Sequence, residues 1–320
     1  MNNIIQIKNL HLAFNCSNGL REALHGVSLN IKKGELHALV GESGCGKTIT
    51  AMSILNLLPK NASITEGEII FNDQNLLTLT PKDLNKIRGS KIALIPQDPM
   101  TSLNPLYTVG NQLLEVIKLH QGLTGKEAYQ KALNALDLVQ IPNAQERMKS
   151  YPHEFSGGMK QRAIIAMALA CNAEIIIADE PTTALDVTIQ AQIMKLLNEI
   201  KTEQKSSILL ITHDLALVKE NADRISVMYS GEIVEEGNNA DFFSSPSHPY
   251  SKALLKALPN EGQGRLDTIT GQPPSIYQEI LGCKFHPRCR EVMEECKNIH
   301  PQETYLNDCH KLKCLRFEKK

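Results

Sequence analysis

Gly41-Glu42-Ser43-Gly44-Cys45-Gly46-Lys47-Thr48 follows the apolar run 36–40, broken only by His37, and precedes a helical pattern over 49–58 that stops before Pro59. A strand, a glycine-rich turn and a helix in that order aim backbone N–H groups at one point, at the positive end of a helix dipole. Gly41, Gly44 and Gly46 lack Cβ atoms, so the backbone can adopt positive φ and wrap an anion. Lys47 is placed to neutralise the terminal phosphates of a nucleotide and the Thr48 hydroxyl to ligate Mg²⁺, with Glu42, Ser43, Cys45 and Ile49 completing the contact stretch. At average composition the pattern's four fixed positions arise by accident in about one chain per hundred of this length, before its context is counted. An accidental turn is therefore rejected. Cys45 is unusual chemistry for such a loop: cationic Lys47 and the helix dipole favour its thiolate, and alkylation there is expected to block turnover of the bound nucleotide.

Outward from this loop, the runs 175–178 and 208–211 are short and apolar, as central parallel strands covered by helices on both faces should be. Ile5 and Ile7 alternate with Gln6 and Lys8, the period of a half-buried strand. The fold class is therefore α/β. Asp179 and Glu180 fall at the C-terminal edge of the run 175–178, where open α/β sheets bind ligands. Asp179 is placed to hold Mg²⁺ and Glu180 to act as general base on the attacking water, although an acidic pair after a strand is equally often a helix cap. Between 113 and 148 the pattern turns helical, with stripes at Leu113, Leu114 and Ile117 and at Leu133, Leu136 and Leu138. Phe155-Ser156-Gly157-Gly158-Met159-Lys160-Gln161-Arg162 opens another helix and makes a second anion cup, yet one nucleotide needs only one phosphate loop. The second cup must serve another nucleotide.

Gly41 to Thr48, Gln97, Ser156 to Gln161, Asp179-Glu180, Ala184-Leu185-Asp186 and His213 occur in the order of an ABC-type ATPase, which the chain resembles over roughly 4–258. That resemblance implies a head-to-tail dimer of cassettes, with ATP clamped between the phosphate loop of one and the Ser156 loop of the other. It assigns Gln97 to sensing Mg²⁺ and the attacking water, and His213 to the γ-phosphate. Phe14 falls where the family stacks an aromatic ring on adenine, and Asp186 joins the nucleotide-binding set. Phe155 and Met159 depart from the commonest signature, which carries Leu and Gln there; Ser156, Gly157 and Gly158, the phosphate-contacting residues, remain. The stretch Phe-Ser-Gly-Gly-Met is similar to that of peptide and nickel importers. So is 96–105, Pro-Gln-Asp-Pro-Met-Thr-Ser-Leu-Asn-Pro, and His248-Pro249-Tyr250 matches a C-terminal hallmark of those importers. In that family the region 100–105 and the helical insertion dock on a membrane permease.

Five of the chain's eight cysteines, Cys283, Cys289, Cys296, Cys309 and Cys314, crowd its last forty residues, beyond a Gly- and Pro-rich stretch at 259–282. Their spacing lacks the paired Cys-x2-Cys knuckles of zinc ribbons, so zinc, an iron–sulfur cluster and ordinary reduced thiols all remain open. Lys284, Arg288 and Arg290 are cations near enough in sequence to offset a cluster's charge. The stretch Cys-x-Phe-His-Pro-Arg-Cys resembles importer ATPases carrying a [4Fe-4S] cluster, which implies Cys283, Cys289, Cys296 and Cys314 as ligands and leaves Cys309 over.

Composition agrees with this placement. In 320 residues, 34 Lys plus Arg against 35 Asp plus Glu give a net charge of −1, leaving no global electrostatic footprint for nucleic acid. With 42% hydrophobic and 22% charged residues the chain can bury a full core. Its longest apolar run, 163–171, falls far short of the roughly 20 residues a spanning helix needs. The first residues carry no secretory pattern, which puts the chain in the cytoplasm.

The expectation is an ABC-type ATPase cassette over 1–258, with a helical subdomain at about 98–165, and a linker and Cys-rich extension over 259–320. It binds ATP and Mg²⁺, pairs with a second ABC ATPase, and sits on the cytoplasmic face of the membrane. There it powers peptide import with two integral membrane permease subunits and an extracytoplasmic substrate-binding protein. Nickel import and a soluble ABC ATPase of DNA repair or translation are the competing readings; the latter normally shows a long coiled-coil insertion or tandem cassettes, and neither is present.

Overall fold

A computed structural model describes residues 3–17, 19–183, 185–257 and 269–318. The chain divides into two units, one of Met1–Lys32, His37–Leu77 and Ile211–Lys320, the other of Lys33–Leu36 and Thr78–Leu210. The expected boundary at 258/259, the first part of the expected linker, and Ala184 lie outside the described residues.

In the first unit, β1 (Asn3–Cys16), β2 (Gly19–Lys32), β4 (Ala62–Phe71) and β5 (Gln74–Asn75) form an antiparallel sheet in the order β2-β1-β4-β5. The alternation read at Ile5 and Ile7 is real: both are buried, as are Leu10 and Leu12 further along β1 and Leu29 and Ile31 on β2. A second sheet runs in the order β11-β12-β10-β9-β3, built from β3 (Leu36–Val40), β9 (Arg224–Tyr229), β10 (Glu232–Asn238), β11 (Glu303–Asn307) and β12 (His310–Lys313). Strand β3 pairs in parallel with β9 and is buried along its whole length. His37, the one polar interruption in its run, is accommodated by a hydrogen bond of 2.9 Å to Ser226 Oγ, which in turn donates to Glu236. Helix α1 (Lys47–Ile54) follows β3, and α9 (Leu215–Asn221), α10 (Asn239–Ser244) and α11 (Pro249–Lys256) also lie in this unit.

Helix α1 ends four residues earlier than the pattern over 49–58 suggests. Asn56 takes φ 49°, its N–H bonds Ser53 O at 3.1 Å, and the Leu57 N–H bonds Met52 O at 2.9 Å. That pair of reversed bonds around a left-handed residue terminates a helix before any proline is reached.

In the second unit, β6 (Ile92–Ile95), β7 (Ile175–Asp179) and β8 (Ser207–Thr212) run in the order β8-β7-β6, with β6 parallel to β7. The last two residues of β8 belong to the first unit. Helices α3 (Pro99–Ser102), α4 (Val109–Gln121), α5 (Gly125–Leu138), α6 (Ala144–Arg147) and α7 (Gly157–Ala170) lie between β6 and β7, with α2 (Pro81–Ile87) before β6 and α8 (Val187–Glu203) after β7. Leu113 and Ile117 of α4, Ala132 and Leu136 of α5 and Ile165 of α7 are buried where these three helices pack on one another. No helix among the described residues is long and apolar enough to cross a membrane.

Candidate functional site

The phosphate loop has the backbone its glycines foretell. Gly41, Gly44 and Gly46 take φ of 155°, 79° and 111°. A Cβ on Gly41 would collide with Met228 O and stand 2.8 Å from Cys45 Sγ; one on Gly46 would stand 2.8 Å from Met228 and 2.9 Å from Leu24. Gly44 faces open space. Gly46 caps α1, so the first amides of that helix follow the loop directly. Lys47 is buried, and its ammonium donates to Gly41 O at 2.8 Å and Glu42 O at 2.9 Å. Ser43 is exposed, while Thr48 and Ile49 are half-buried on the first turn of α1. Phe14 is half-buried on β1, paired across the sheet with Arg21 and Ala62.

Cys45 departs from expectation. It is 5% exposed, and burial pushes its thiol up, outweighing the pull of Lys47. The cation was legible in sequence; the desolvation that defeats it was not.

In the second unit the acidic pair splits into two environments. Asp179 is the last residue of β7 and is fully buried. Glu180 is half-buried and takes φ 47°, a left-handed conformation in which a non-glycine residue stores strain, as active-site residues often do. Gln97, exposed just after β6, donates from Nε2 to Glu180 Oε2 at 3.2 Å, and Thr183 Oγ1 donates to the same oxygen at 3.1 Å. Two residues chosen from distant stretches of sequence therefore meet. Thr183 carried no motif signal.

Ser156 is the N-cap of α7, its Oγ accepting from the Met159 N–H at 3.3 Å, and both Ser156 and Gly157 are exposed. A Cβ on Gly157 would meet nothing within 4 Å, and half-buried Gly158 continues the turn. Gln161, one turn further, is buried and donates to Pro181 O at 2.9 Å, tying this helix to the loop after Glu180. Asp186 caps α8, accepting from the Ile189 N–H at 3.0 Å. In the first unit, His213 is exposed directly after β8.

Residues 24–183 match the family model of the ABC transporter, and residues 234–296 match that of the oligopeptide/dipeptide transporter C-terminal region. The chain belongs to the ABC transporter family. It is 47% identical over 317 residues to a dipeptide transport ATP-binding protein of Bacillus subtilis (strain 168), covering 98% of this chain and 95% of that one. It is also 47% identical over 305 residues to an oligopeptide transport ATP-binding protein of Escherichia coli (strain K12), covering 94% and 90%. Among solved structures it resembles a dimeric ATP-binding cassette in a post-hydrolysis state bound to ADP and Pi. There the TM-score is 0.68 at 32% identity, covering 73% of this chain and 98% of that one.

The His-Pro-Tyr hallmark of this ABC protein has a physical role. His248 caps α11, its Nδ1 accepting from the Tyr250 N–H at 3.0 Å, and Pro249 occupies the first helical position. Glu235 accepts from the Ser247 and His248 amides at 2.7 and 2.9 Å and pairs with His310 Nε2 at 2.7 Å. Burial alone would raise the Glu235 carboxyl, but these bonds together hold it below the ordinary glutamate value. Tyr250 reaches the phosphate loop, its hydroxyl accepting from the Glu42 N–H at 2.9 Å.

The C-terminal residues 269–282 hold no helix or strand. Among the described residues no three His, Cys, Asp or Glu side chains come together to hold a metal ion. Three of the four expected ligands have shifted thiols. Cys283 is pushed up to about 12, first by burial and then by the charges of Cys296, Cys314 and Cys289. Cys289 and Cys314 are also raised, chiefly by burial. Cys309 is exposed. Arg288, expected to offset a cluster's charge, instead gives its guanidinium to Glu42, and Lys284 donates to Ile280 O.

Proposed function

We propose that the chain is the ATP-hydrolysing subunit that energises import of di- and oligopeptides, bound peripherally to the cytoplasmic face of the membrane. It works with a second ABC ATPase, two integral membrane permease subunits and an extracytoplasmic substrate-binding protein. The observation that carries the peptide reading is the oligopeptide/dipeptide C-terminal region at 234–296, joined in one chain to the ABC model. The relatives named for dipeptide and oligopeptide transport support it over nickel. The working division is a cassette at 1–258, with its helical part at about 98–165, and a C-terminal extension at 259–320.

In this reading Lys47 and the loop amides take the β- and γ-phosphates, and Phe14 stacks on adenine. Thr48, Gln97 and Asp179 offer a hydroxyl, an amide oxygen and a carboxylate, hard donors that suit Mg²⁺. Mg²⁺, when bound, neutralises charge developing on the transferred phosphoryl group. Glu180 accepts the proton of the attacking water; the Gln97 and Thr183 bonds to its Oε2 fix the carboxylate's orientation. His213 donates to the γ-phosphate. The exposed turn Ser156-Gly157-Gly158, with its dipole end and open backbone, serves the nucleotide of the facing cassette.

Glu180→Gln tests the chemistry. Turnover should fall about a hundredfold or more while Mg-ATP binding persists, leaving ATP trapped in a stable dimer. Turnover near wild type would remove Glu180 as base. Reconstituted with its permease and receptor, the wild-type chain should drive accumulation of labelled dipeptide; accumulation of nickel instead would reassign the cargo.

For the tail we infer that Cys283, Cys289, Cys296 and Cys314 would hold a [4Fe-4S] cluster as its four thiolate ligands. The Cys283 N–H bond to Cys296 O at 2.9 Å, the burial of Cys296 and Cys314, and the exposure of Cys309 support this ligand set. Absence of iron and acid-labile sulfide after anaerobic purification would remove it.

A further inference from the structure

The second residue of the phosphate loop, Glu42, is gripped at every polar group it has. Its N–H donates to Tyr250 Oη at 2.9 Å. Its carbonyl accepts from Lys47 Nζ at 2.9 Å and from the Cys45 N–H at 3.3 Å. Its carboxylate takes both arms of Arg288, Nη1 to Oε2 at 2.5 Å and Nη2 to Oε1 at 2.9 Å. Arg288 is fixed in turn: Nε donates to Thr270 O at 3.0 Å, Nη2 to Gly271 O at 3.1 Å, and Nη1 to Tyr229 Oη at 3.4 Å. Tyr229, Tyr250 and Phe285 pack edge-on or tilted, with ring centroids 4.7 to 5.2 Å apart. The Arg288 side chain is only 5% exposed and that of Glu42 23%.

A two-armed guanidinium–carboxylate pair fixes direction as well as distance, and low exposure spares it much of the screening that weakens surface pairs. Here it acts on a loop whose next two residues, Ser43 and Gly44, are exposed. Ordering such a loop around an anion costs conformational entropy at the moment of binding unless something has ordered it already. The carbonyl of Glu42 is also an anchor of the Lys47 ammonium, so displacing Glu42 displaces the cation that meets the phosphates.

We propose that Arg288 and Tyr250 are positioning residues for the phosphate loop, through which the C-terminal segment sets the chain's affinity for nucleotide. This rests on the nucleotide reading above and goes beyond it, because it gives the segment after 269 a part in binding ATP.

The test is equilibrium binding of Mg-ATP to the full-length chain and to Arg288→Gln, Glu42→Gln, the double variant and Tyr250→Phe, with thermal melts alongside. Arg288→Gln should weaken binding about tenfold and Tyr250→Phe about threefold, both recovering full occupancy at saturating nucleotide, as lost positioning does and lost folding does not. The double variant should be no weaker than the worse single one, since both remove the same contact. Affinities within twofold of wild type in all the single variants, or losses that saturating nucleotide does not restore, would overturn the proposal. If Arg288→Gln fails to fold, Tyr250→Phe decides, because it removes one hydroxyl and keeps the ring. A wild-type chain that does not bind Mg-ATP, or binds it equally well as Lys47→Ala, would sink the nucleotide reading itself; wild-type binding with unaffected clamp variants would sink only the clamp.

Discussion

The phosphate loop and the C-terminal segment are specified in opposite ways. The loop is a backbone object: three glycines at positive φ, a lysine and a helix start, all within eight consecutive residues. The segment is held by side-chain pairs that the sequence keeps far apart, Glu42 with Arg288 across 246 positions, Glu235 with His310 across 75 and Glu232 with His300 across 68. A conformation that only certain residue types tolerate announces itself in the sequence. A pair of ordinary charged residues does not, until the fold brings them together.

The contrast breaks most readily at Gly41. If backbone shape is what matters in the loop, Gly41→Ala should be its worst small substitution. The added methyl meets Met228 O and Cys45 Sγ at a φ that L residues rarely adopt. Strain and overpacking together should cost about 4 kcal/mol, visible as a large fall in Tm and loss of Mg-ATP binding. A Gly41→Ala chain that melts and binds like wild type would mean that side chains, not backbone, define the loop.

The same contrast explains what was legible. Strands β3, β7 and β8 stand out because their apolar runs end at or near residues of obvious chemistry. Gln97 and Glu180 were chosen separately, and their hydrogen bond needed the parallel pairing of β6 with β7 to bring the two strand ends together. The left-handed conformation of Glu180 left no trace, since nothing in a glutamate signals positive φ. Arg288 was read only as one cation among several near cysteines, because its partner lies in another part of the chain. Cys45 was misread for a related reason: charge is visible in a sequence, but the packing that desolvates it is not.

The second test addresses the side-chain-built half. His248 is fully buried, and burial depresses its imidazole from 6.5 to about 4. An unfolded chain therefore takes up a proton at this residue between those values while the folded one does not. The stability contributed by a neutral buried His248 should be lost as pH drops from above 6.5 towards 4, about 3 kcal/mol in all, with no further loss from this residue below. Glu235, held below its ordinary value, acts in the same direction as its carboxylate is protonated in acid. Denaturant melts across this range should show the slope, and His248→Asn, which keeps a capping side chain, should flatten it. An unchanged slope in that variant would mean the acid sensitivity arises elsewhere.

The smallest expected effect is one of rate, and it separates the two regions by their cysteines. Reduced native protein treated with iodoacetamide near neutral pH should be alkylated first at exposed Cys309, with Cys45 at least about tenfold slower, because reaction needs both access and thiolate. Residue-by-residue mass spectrometry over time gives the two rates directly. The loop's cation then fails to activate its own cysteine because the sulfur is buried beside Gly41. Equal rates would restore the thiolate that the sequence suggested. They would also show that the loop opens far enough, and often enough, for its backbone to be less fixed than its glycines imply.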